Sequence, residues 1–270
     1  MIKKYLDTIP KQHGVWYIFS FSYLVGAVIF YDNPVKLLWL FLLSVFGIFS
    51  YNSLVINLKE FKIKGKLEHI YPLFVNLFVS GAFALFILLK YKFYYLIFLG
   101  FVVFLLIGLS LYLIYIGKEL AVSNEVLSIL SVSIVVIFIG LISGKFLFLE
   151  IINLWFFTLL FFLSSIFRVR YLVRERKILN KEFVLRFKKS LWSLVFHLLL
   201  IVLAMIVSFF FRDYTSVSIY FFTAFIPVFL RAIYIMFKKY PIPPDVRKIG
   251  YSEVANSLIF LILIILVYKV

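Results

Sequence analysis

Residues 93–117 read FYYLIFLGFVVFLLIGLSLYLIYIG, a run of 25 positions without a charged side chain. A helix needs about 20 apolar residues to cross the hydrocarbon core of a bilayer. The whole 270-residue chain has a similar character, because 65% of its residues are hydrophobic and only 15% are charged. Soluble domains have about 45–50% apolar and about 25% charged residues. The composition excludes a soluble enzyme, a disulfide scaffold and a nucleic-acid-binding module, and it predicts an all-α, polytopic transmembrane bundle.

Long apolar runs bounded by charged or turn-forming residues predict nine membrane-spanning helices. Turn-forming residues separate several of these runs, for example Asp32-Asn33-Pro34 after the first run and PIPP at 241–244 before the ninth. We expect no soluble domain, and therefore a single transmembrane domain over residues 1–270. The predicted spans are Val15–Phe30, Leu37–Leu58, Ile70–Leu89, Phe93–Gly117, Val126–Ser143, Leu147–Phe167, Leu191–Phe211, Ser216–Phe237 and Glu253–Val267.

The positive charges indicate the direction of these spans. If the N-terminus is cytoplasmic, 21 of the 28 Lys and Arg residues fall on the inner side and 6 on the outer side, with Arg231 inside a span. Because cytoplasmic loops are enriched in Lys and Arg, this split predicts an inside N-terminus and an outside C-terminus in the cell (inner) membrane. The net charge of +16 then belongs to loops that face the anionic inner leaflet. We expect no nucleic-acid partner.

The longest stretch between predicted spans runs from Arg168 to Ser190 and is strongly basic. Within it Leu179, Phe183 and Phe187 recur at positions i, i+4 and i+8, which places them on one face of a helix. The pattern predicts a short amphipathic segment, at about residues 174–189, that lies in the inner membrane interface.

The usual signatures of soluble enzymes are absent from the sequence, which has no cysteine and neither a GxGxxG nor an HExxH motif. Its three histidines are too dispersed to indicate a metal cluster, and no cofactor is predicted. The candidate site residues are therefore polar side chains in or near hydrocarbon, which are costly there unless they are paired or face a cavity. The first is His13, which either titrates near neutrality beside Gly14 or belongs to the turn that begins the first span.

Two acidic residues, Glu119 and Glu125, bracket the loop after the fourth predicted span. Two carboxylates in a short loop could bind a divalent cation or a proton. In the alternative interpretation Ser123 or Asn124 caps the fifth helix, and Glu125 lies in its first turn, where a negative charge is favourable.

Four arginines follow the sixth predicted span, although lysine is the commoner basic residue of the chain. A guanidinium group suits bidentate recognition of phosphate better than an ammonium group does. The cluster therefore indicates phosphate binding, with ordinary topogenic charge and headgroup binding as the alternative. Its members are Arg168, Arg170, Arg174 and Arg176.

Three further ionisable residues lie in the inner half of the membrane by the charge count. His197 is about two turns inside the seventh span, Arg231 lies in the eighth, and Glu253 opens the ninth. A cytoplasm-facing polar cavity would explain all three residues. A pairing of Arg231 with Glu253 for assembly alone would explain two of them, and both interpretations stay open.

Residues 10–16 read PKQHGVW, which resembles the N-terminal P-[KR]-x-H-G-x-W signature of the YwiC-like integral membrane proteins. Three further features are similar to that family: the loop with Glu119 and Glu125, the arginine-rich segment with His197 beyond it, and Lys248-Ile249-Gly250 shortly before Glu253. The resemblance covers nearly the whole chain. The family has no assigned activity, so the resemblance implies an integral membrane protein and no particular reaction.

The expected architecture is also similar to that of the UbiA-type intramembrane prenyltransferases, which have nine spans with the N-terminus inside. Their inner loops carry the motifs NDxxDxxxD and DxxxD, which bind magnesium and a prenyl diphosphate. Over residues 52–60 this chain keeps Asn52 and, by charge, Glu60, whereas Ser53 and Ile56 replace two aspartates. No aspartate lies between residues 156 and 212. Because Mg²⁺ is usually bound through carboxylates and phosphates, magnesium binding in the usual UbiA manner is not expected.

These features predict a UbiA-like bundle with a cytoplasm-facing polar pocket for a lipid or isoprenoid phosphate, either a divergent transferase or a non-catalytic binder. The candidate catalytic residues are His13 and His197, for proton transfer, with Glu119 and Glu253 to orient them. Arg231 joins the four arginines above as a candidate phosphate or lipid ligand. A transporter or permease and a non-enzymatic membrane subunit are the alternatives. The expected partners are lipids of a bacterial membrane, and neither a reaction nor an oligomeric state is predicted.

Overall fold

The computed structural model describes Pro10 and residues 13–67, 69–174, 183–211, 219–237 and 245–268. Within these ranges all of the regular structure is helical. Six of the described helices are long and apolar enough to cross a membrane, and three shorter apolar helices lie at Gly14–Ile29, Leu194–Phe210 and Phe222–Tyr234. These nine segments correspond in position to the nine predicted spans. The predicted all-α membrane architecture is confirmed, while the direction of the spans and the likeness to UbiA stay predictions.

The chain folds into two compact units, residues 1–151 and residues 152–270. That these units form a single transmembrane domain stays a prediction. The first unit contains α1 (His13–Ile29), α2 (Pro34–Lys64), α3 (Ile70–Tyr91), α4 (Tyr95–Tyr115), α5 (Val122–Ser133), α6 (Val135–Ser143) and the start of α7 (Phe148–Arg174). The second contains the rest of α7, then α8 (Phe183–Phe211), a 3-10 segment (Ile219–Phe225), α9 (Ile226–Phe237) and α10 (Val246–Tyr268).

Helix α2 shows how local chemistry sets the limits of a span. Its first turn is capped by Asn33, whose side chain accepts a hydrogen bond of 2.8 Å from the backbone N–H of Val35, and Pro34 follows at the first helical position. The helix ends at Gly65, which has a φ of 64° and so supplies the left-handed cap that favours glycine. Because this cap comes late, α2 runs six residues beyond the predicted end at Leu58.

The fifth predicted span begins earlier than expected and has one irregular residue, Ile134, between α5 and α6. Helix α5 begins at Val122, and no side chain caps its N-terminus, so the predicted cap at Ser123 or Asn124 is wrong. The side chain of Asn124 is buried instead, where it accepts a hydrogen bond from Ser110 and donates one to the carbonyl of Glu119. Helix α5 ends just before Ile134 and α6 begins just after it. The hydroxyl of the preceding Ser133 donates to the carbonyl of Leu130, and such side-chain bonds compete with the backbone hydrogen bonds of a helix.

Close backbone approach holds the core of the first unit together. Helix α1 packs on α5 and α6, and α2 packs on α3. A Cβ atom on Gly140 would lie 2.7 Å from two side-chain carbons of Ile151, and one on Gly26 would lie 3.0 Å from Ile139. Glycine at these two positions therefore allows neighbouring segments to come into contact without a clash.

Ion pairs mark the two ends of the first unit. At one end Asp32 binds both Lys36 and Lys145, each at 2.6 Å, and so joins the α1–α2 loop to the α6–α7 loop. At the other end Lys59 binds Glu119 at 2.6 Å, next to the α2–α3 loop. Successive loops of this unit thus lie at alternate ends, as a series of membrane crossings requires.

The second unit is built on an aromatic core. Phe161 of α7 stacks on Phe260 of α10 with ring centroids 4.2 Å apart, and Phe225 of the 3-10 segment meets Phe260 edge to face at 5.5 Å. The described part of the eighth predicted span starts with this 3-10 segment instead of an α-helix. Pro227 lies in the first turn of α9, where its missing N–H breaks no hydrogen bond.

Two helices of the second unit begin earlier than predicted. Helix α10 begins at Val246, because Asp245 accepts hydrogen bonds from the backbone N–H groups of Arg247 and Lys248. Glu253 consequently lies two turns inside this helix and does not open it. Helix α8 begins at Phe183, so residues 183–189 of the predicted amphipathic segment continue into a span, while residues 175–182 lie outside the described residues.

Candidate functional site

Glu253 is the centre of a buried cluster of charges in the second unit, and only 6% of it is exposed. Both Arg168 of α7 and Arg231 of α9 donate to its Oε1 atom, Arg231 at 2.5 Å. The hydroxyl of Ser165, also on α7, donates to Oε2 at 2.6 Å. Three helices that are distant in the sequence therefore meet at a single carboxylate. We call Arg168, Arg231 and Glu253 the arginine cluster.

The two guanidinium groups of the arginine cluster share a second acceptor. Arg168 and Arg231 each donate to the hydroxyl oxygen of Ser252 at 3.1 Å, and that hydroxyl donates to the carbonyl of Ile249 at 2.8 Å. Within the described ranges, one carboxylate and one hydroxyl therefore hold the two like charges side by side. Among the described residues of this unit, Glu253 is the one buried acid.

His197 lies near the arginine cluster on α8. It is 2% exposed, and a positive charge on its ring would interact electrostatically with Glu253. Its neighbour Phe196 packs on Phe167 of α7 with ring centroids 4.1 Å apart, which holds α8 against α7 at this level. The structure thus brings Arg231 and Glu253 into direct contact, places His197 within electrostatic reach and adds Arg168, which sequence analysis had grouped with the other arginines.

The other candidate residues are dispersed. Arg170 is half-buried on α7, one turn or less from Arg168. The backbone of Arg174 ends α7, but its side chain lies outside the described part of the chain, as does all of Arg176. His13 begins α1, and its side chain is likewise outside the described part. The catalytic and phosphate-binding roles of all these residues stay predictions.

Glu119 belongs to the first unit, where it is held by Lys59 at a partly exposed position. Glu125 lies in the first turn of α5, as predicted. In the described ranges, no group of three or more His, Cys, Asp or Glu side chains is arranged to hold a metal ion. The predicted role of Glu119 in orienting a catalytic group stays a prediction.

A second polar cluster lies where α2 and α3 meet, and sequence analysis missed it. His69 Nδ1 is 3.0 Å from Glu60 Oε2, and the backbone N–H of His69 donates to Asn57 Oδ1 at 3.0 Å. Deeper between the helices the fully buried Asn76 donates to the hydroxyl of Ser53 at 3.4 Å. We call these five residues the hairpin cluster. The spacing of Ser53, Asn57 and Glu60 at i, i+4 and i+7 is the signal that could have found it.

The first unit also has a surface groove of about 460 Å³. Its walls are apolar, so it is separate in character from both polar clusters. Its lining residues are Tyr95, Gly140, Leu141, Gly144, Phe146, Phe148 and Ile151.

Long apolar helices that enclose a few buried charges define a multi-pass α-helical membrane protein. Within that class, residues 9–140 match the family model described as YwiC-like protein, so this part of the chain is similar to that family and the predicted resemblance is confirmed over these residues. Searches of curated proteins and of solved structures find no match. The matched residues lie within the first unit and include the hairpin cluster, whereas the arginine cluster lies beyond them.

Proposed function

We propose that the second unit binds the phosphate group of a membrane lipid or an isoprenoid at the arginine cluster. In this proposal the bundle is UbiA-like and sits in the cell membrane with its basic ends toward the cytoplasm. The single observation that carries the proposal is the sharing of one buried carboxylate by Arg168 and Arg231. No reaction is assigned to the site.

Charge balance is the first argument for an anionic ligand. Taking a charge out of water costs several kcal/mol unless a partner compensates it. The ion pairs of the described residues set two guanidinium groups against one shared carboxylate, so a phosphate would supply a second anionic partner in apolar surroundings. Each electrostatic contact is also stronger there than in water.

Geometry is the second argument. A guanidinium presents several N–H donors in a planar fork that matches phosphate oxygens. In the arginine cluster Glu253 and Ser252 hold both forks in place before any ligand arrives. We propose that Glu253 positions the guanidinium groups and that His197 exchanges a proton with the phosphate. Arg170 extends the basic surface along α7 in this proposal, and Arg174 and Arg176 are further candidate phosphate ligands.

The proposal can be tested with the purified full chain in detergent and two matched lipid pairs. Farnesyl phosphate with farnesol, and phosphatidic acid with diacylglycerol, differ within each pair only by the phosphate. We expect the phosphorylated member of a pair to bind more tightly. Arg231→Gln should weaken that binding about 10- to 150-fold, because a hydrogen bond to a charged group contributes about 1.5–3 kcal/mol.

Arg247→Gln is the matched control, since Arg247 lies exposed near the start of α10 and outside the arginine cluster. It removes the same charge and should leave the affinity unchanged. Equal binding of farnesol and farnesyl phosphate, or equal losses in the two variants, would contradict the proposed site.

A transporter is the second candidate function, and a specific observation favours it. One apolar span changes from 3-10 to α-helix at Ile226 in the second unit. Discontinuous helices are typical of binding sites in secondary transporters. Substrate-dependent flux of a lipid phosphate into liposomes that contain the purified chain would favour this function over simple binding.

A further inference from the structure

The hairpin cluster contains a buried nitrogen atom that no group in the described part of the chain satisfies. His69 is 7% exposed, and its Nε2 atom is buried without a hydrogen-bond partner among the described residues. Leaving a buried polar atom unsatisfied costs about 1–3 kcal/mol. Because most buried polar atoms in native proteins have a partner, such an atom calls for an explanation such as a bound water molecule or ligand.

We propose that His69 Nε2 is the hydrogen-bond acceptor of a binding site for an O–H donor, either a hydroxyl of a lipid headgroup or a water molecule. The proposal concerns the first unit and does not depend on phosphate binding by the second.

The contact between His69 and Glu60 determines the chemistry of the free nitrogen. An ionised carboxylate can only accept hydrogen bonds, so the proton of a neutral imidazole must lie on Nδ1, 3.0 Å from Glu60 Oε2. The lone pair of Nε2 then points away from Glu60 and can only accept. The matching ligand group is therefore a donor, and Glu60 is the positioning residue that fixes the tautomer.

The backbone around His69 fixes the direction of its ring. Asn57 accepts from the backbone N–H of His69 and donates to the carbonyl of Ser53 at 3.0 Å, so its side chain ties the α2–α3 loop to α2. Asn57 and Asn76 are both buried. The imidazole therefore occupies a built polar site between two apolar helices and is not a surface side chain.

The surrounding charges favour a neutral or anionic ligand over an amine. Four lysines occupy the last turn of α2 and the positions beside it, at residues 59, 62, 64 and 66. Lys59 is held by Glu119, and Lys62 donates to the carbonyl of Tyr115 at 2.9 Å. A positive potential at this end repels an ammonium headgroup and attracts an anionic headgroup that carries hydroxyls, such as that of phosphatidylglycerol.

The experiment uses ¹⁵N-histidine NMR on the full chain in lipid nanodiscs. Because the chain has three histidines, replacing His13 and His197 with Gln leaves the signals of His69 alone. Two anionic lipids are compared: phosphatidylglycerol, which carries headgroup hydroxyls, and phosphatidylmethanol, which does not. The measurements are the protonation state of each ring nitrogen and the contacts of the ring protons with the headgroup and with water.

We expect a neutral imidazole with its proton on Nδ1 and a hydrogen-bonded, unprotonated Nε2. Contacts with headgroup protons only in phosphatidylglycerol would identify the donor as a lipid hydroxyl. Contacts with water in both lipids would identify it as water. A proton on Nε2, or an Nε2 atom that shows no hydrogen bond in either lipid, would overturn the proposal.

Glu60→Gln tests the positioning role. The amide can donate as well as accept, so the variant should populate the Nε2-protonated tautomer that the wild type lacks. Glu119→Gln is the matched control, because it removes a carboxylate at the same end of the unit that does not contact His69. An unchanged tautomer in Glu60→Gln, or an equal change in the two variants, would contradict the role given to Glu60.

Discussion

Replacing Glu253 with Gln is the sharpest test of the arginine cluster as a buried ionic site. The substitution keeps the shape of the side chain and one acceptor oxygen, but it removes the negative charge that two guanidinium groups share. Glu253 is 6% exposed and Arg168 is 8% exposed, so water cannot compensate for the loss. Breaking a buried ion pair by removing one partner costs about 3–5 kcal/mol.

The loss should be visible as a lower midpoint of thermal unfolding in detergent. A change of about 3–5 kcal/mol corresponds to a decrease of about 6–20 °C for a chain of this size, taking about 2–4 °C for each kcal/mol. Asp245→Asn is the control on the same helix, because Asp245 is exposed and Asn caps a helix about as well as Asp does. It should change the midpoint by no more than a degree or two.

The response to a phosphorylated lipid separates a binding site from a purely structural ion pair. Glu253→Gln removes the carboxylate that Arg168 and Arg231 share, so phosphatidic acid should raise the unfolding midpoint of this variant more than that of the wild type. If Glu253→Gln unfolds at the same temperature as Asp245→Asn, the charges are not buried together and the reasoning fails. If it is destabilised but phosphatidic acid gives no extra stabilisation, the cluster serves assembly alone.

Three further predictions concern the first unit. Hydrogen bonds from Lys145 and Lys36 lower the pKa of Asp32 in the folded protein below its ordinary value of 3.8. The stability that Asp32 contributes is therefore complete above pH 3.8 and is lost as the pH falls through the lowered pKa. Asp32→Asn should lose less stability than the wild type when unfolding is followed from pH 6 to pH 2. Gly140→Ala should lower the free energy of unfolding by about 1–3 kcal/mol, because the new methyl group has no room, whereas Gly108→Ala, in open space on α4, should not lower it. Asn57→Ala should cost about 1–3 kcal/mol in the same assay, because the buried N–H of His69 loses its acceptor; equal unfolding curves for wild type and variant would contradict that role.

The positions of the spans could be predicted from the sequence because each needs only a long apolar run. The ends of the spans were predicted less accurately, since single polar contacts determine where each helix begins and ends. Helix α2 continues as far as the cap at Gly65, past several lysines that hydropathy places outside the membrane. Helix α10 is capped by Asp245 and begins at Val246, seven residues before the predicted start at Glu253. The irregular residue Ile134 was also not predicted; it follows Ser131 and Ser133, whose hydroxyls donate to helix carbonyls.

The candidate site was predictable in part for a similar reason. Arg231 and Glu253 stand out in apolar sequence, so their pairing was among the interpretations open at that stage. The participation of Arg168 depends on how α7 packs against α10, which no local pattern specifies. The hairpin cluster was missed because Asn57 and His69 are 12 positions apart and meet only when α2 and α3 fold together.

The direction of the chain in the membrane is the claim that places its basic ends toward the cytoplasm, and cysteine labelling tests it most directly. Because the chain has no cysteine, single cysteines can be placed at Lys64, Lys248 and Lys145 without any background reaction. A thiol reagent that cannot cross membranes should label Lys145→Cys in intact cells, but should label Lys64→Cys and Lys248→Cys only after lysis. Labelling of Lys64→Cys or Lys248→Cys in intact cells would contradict the account.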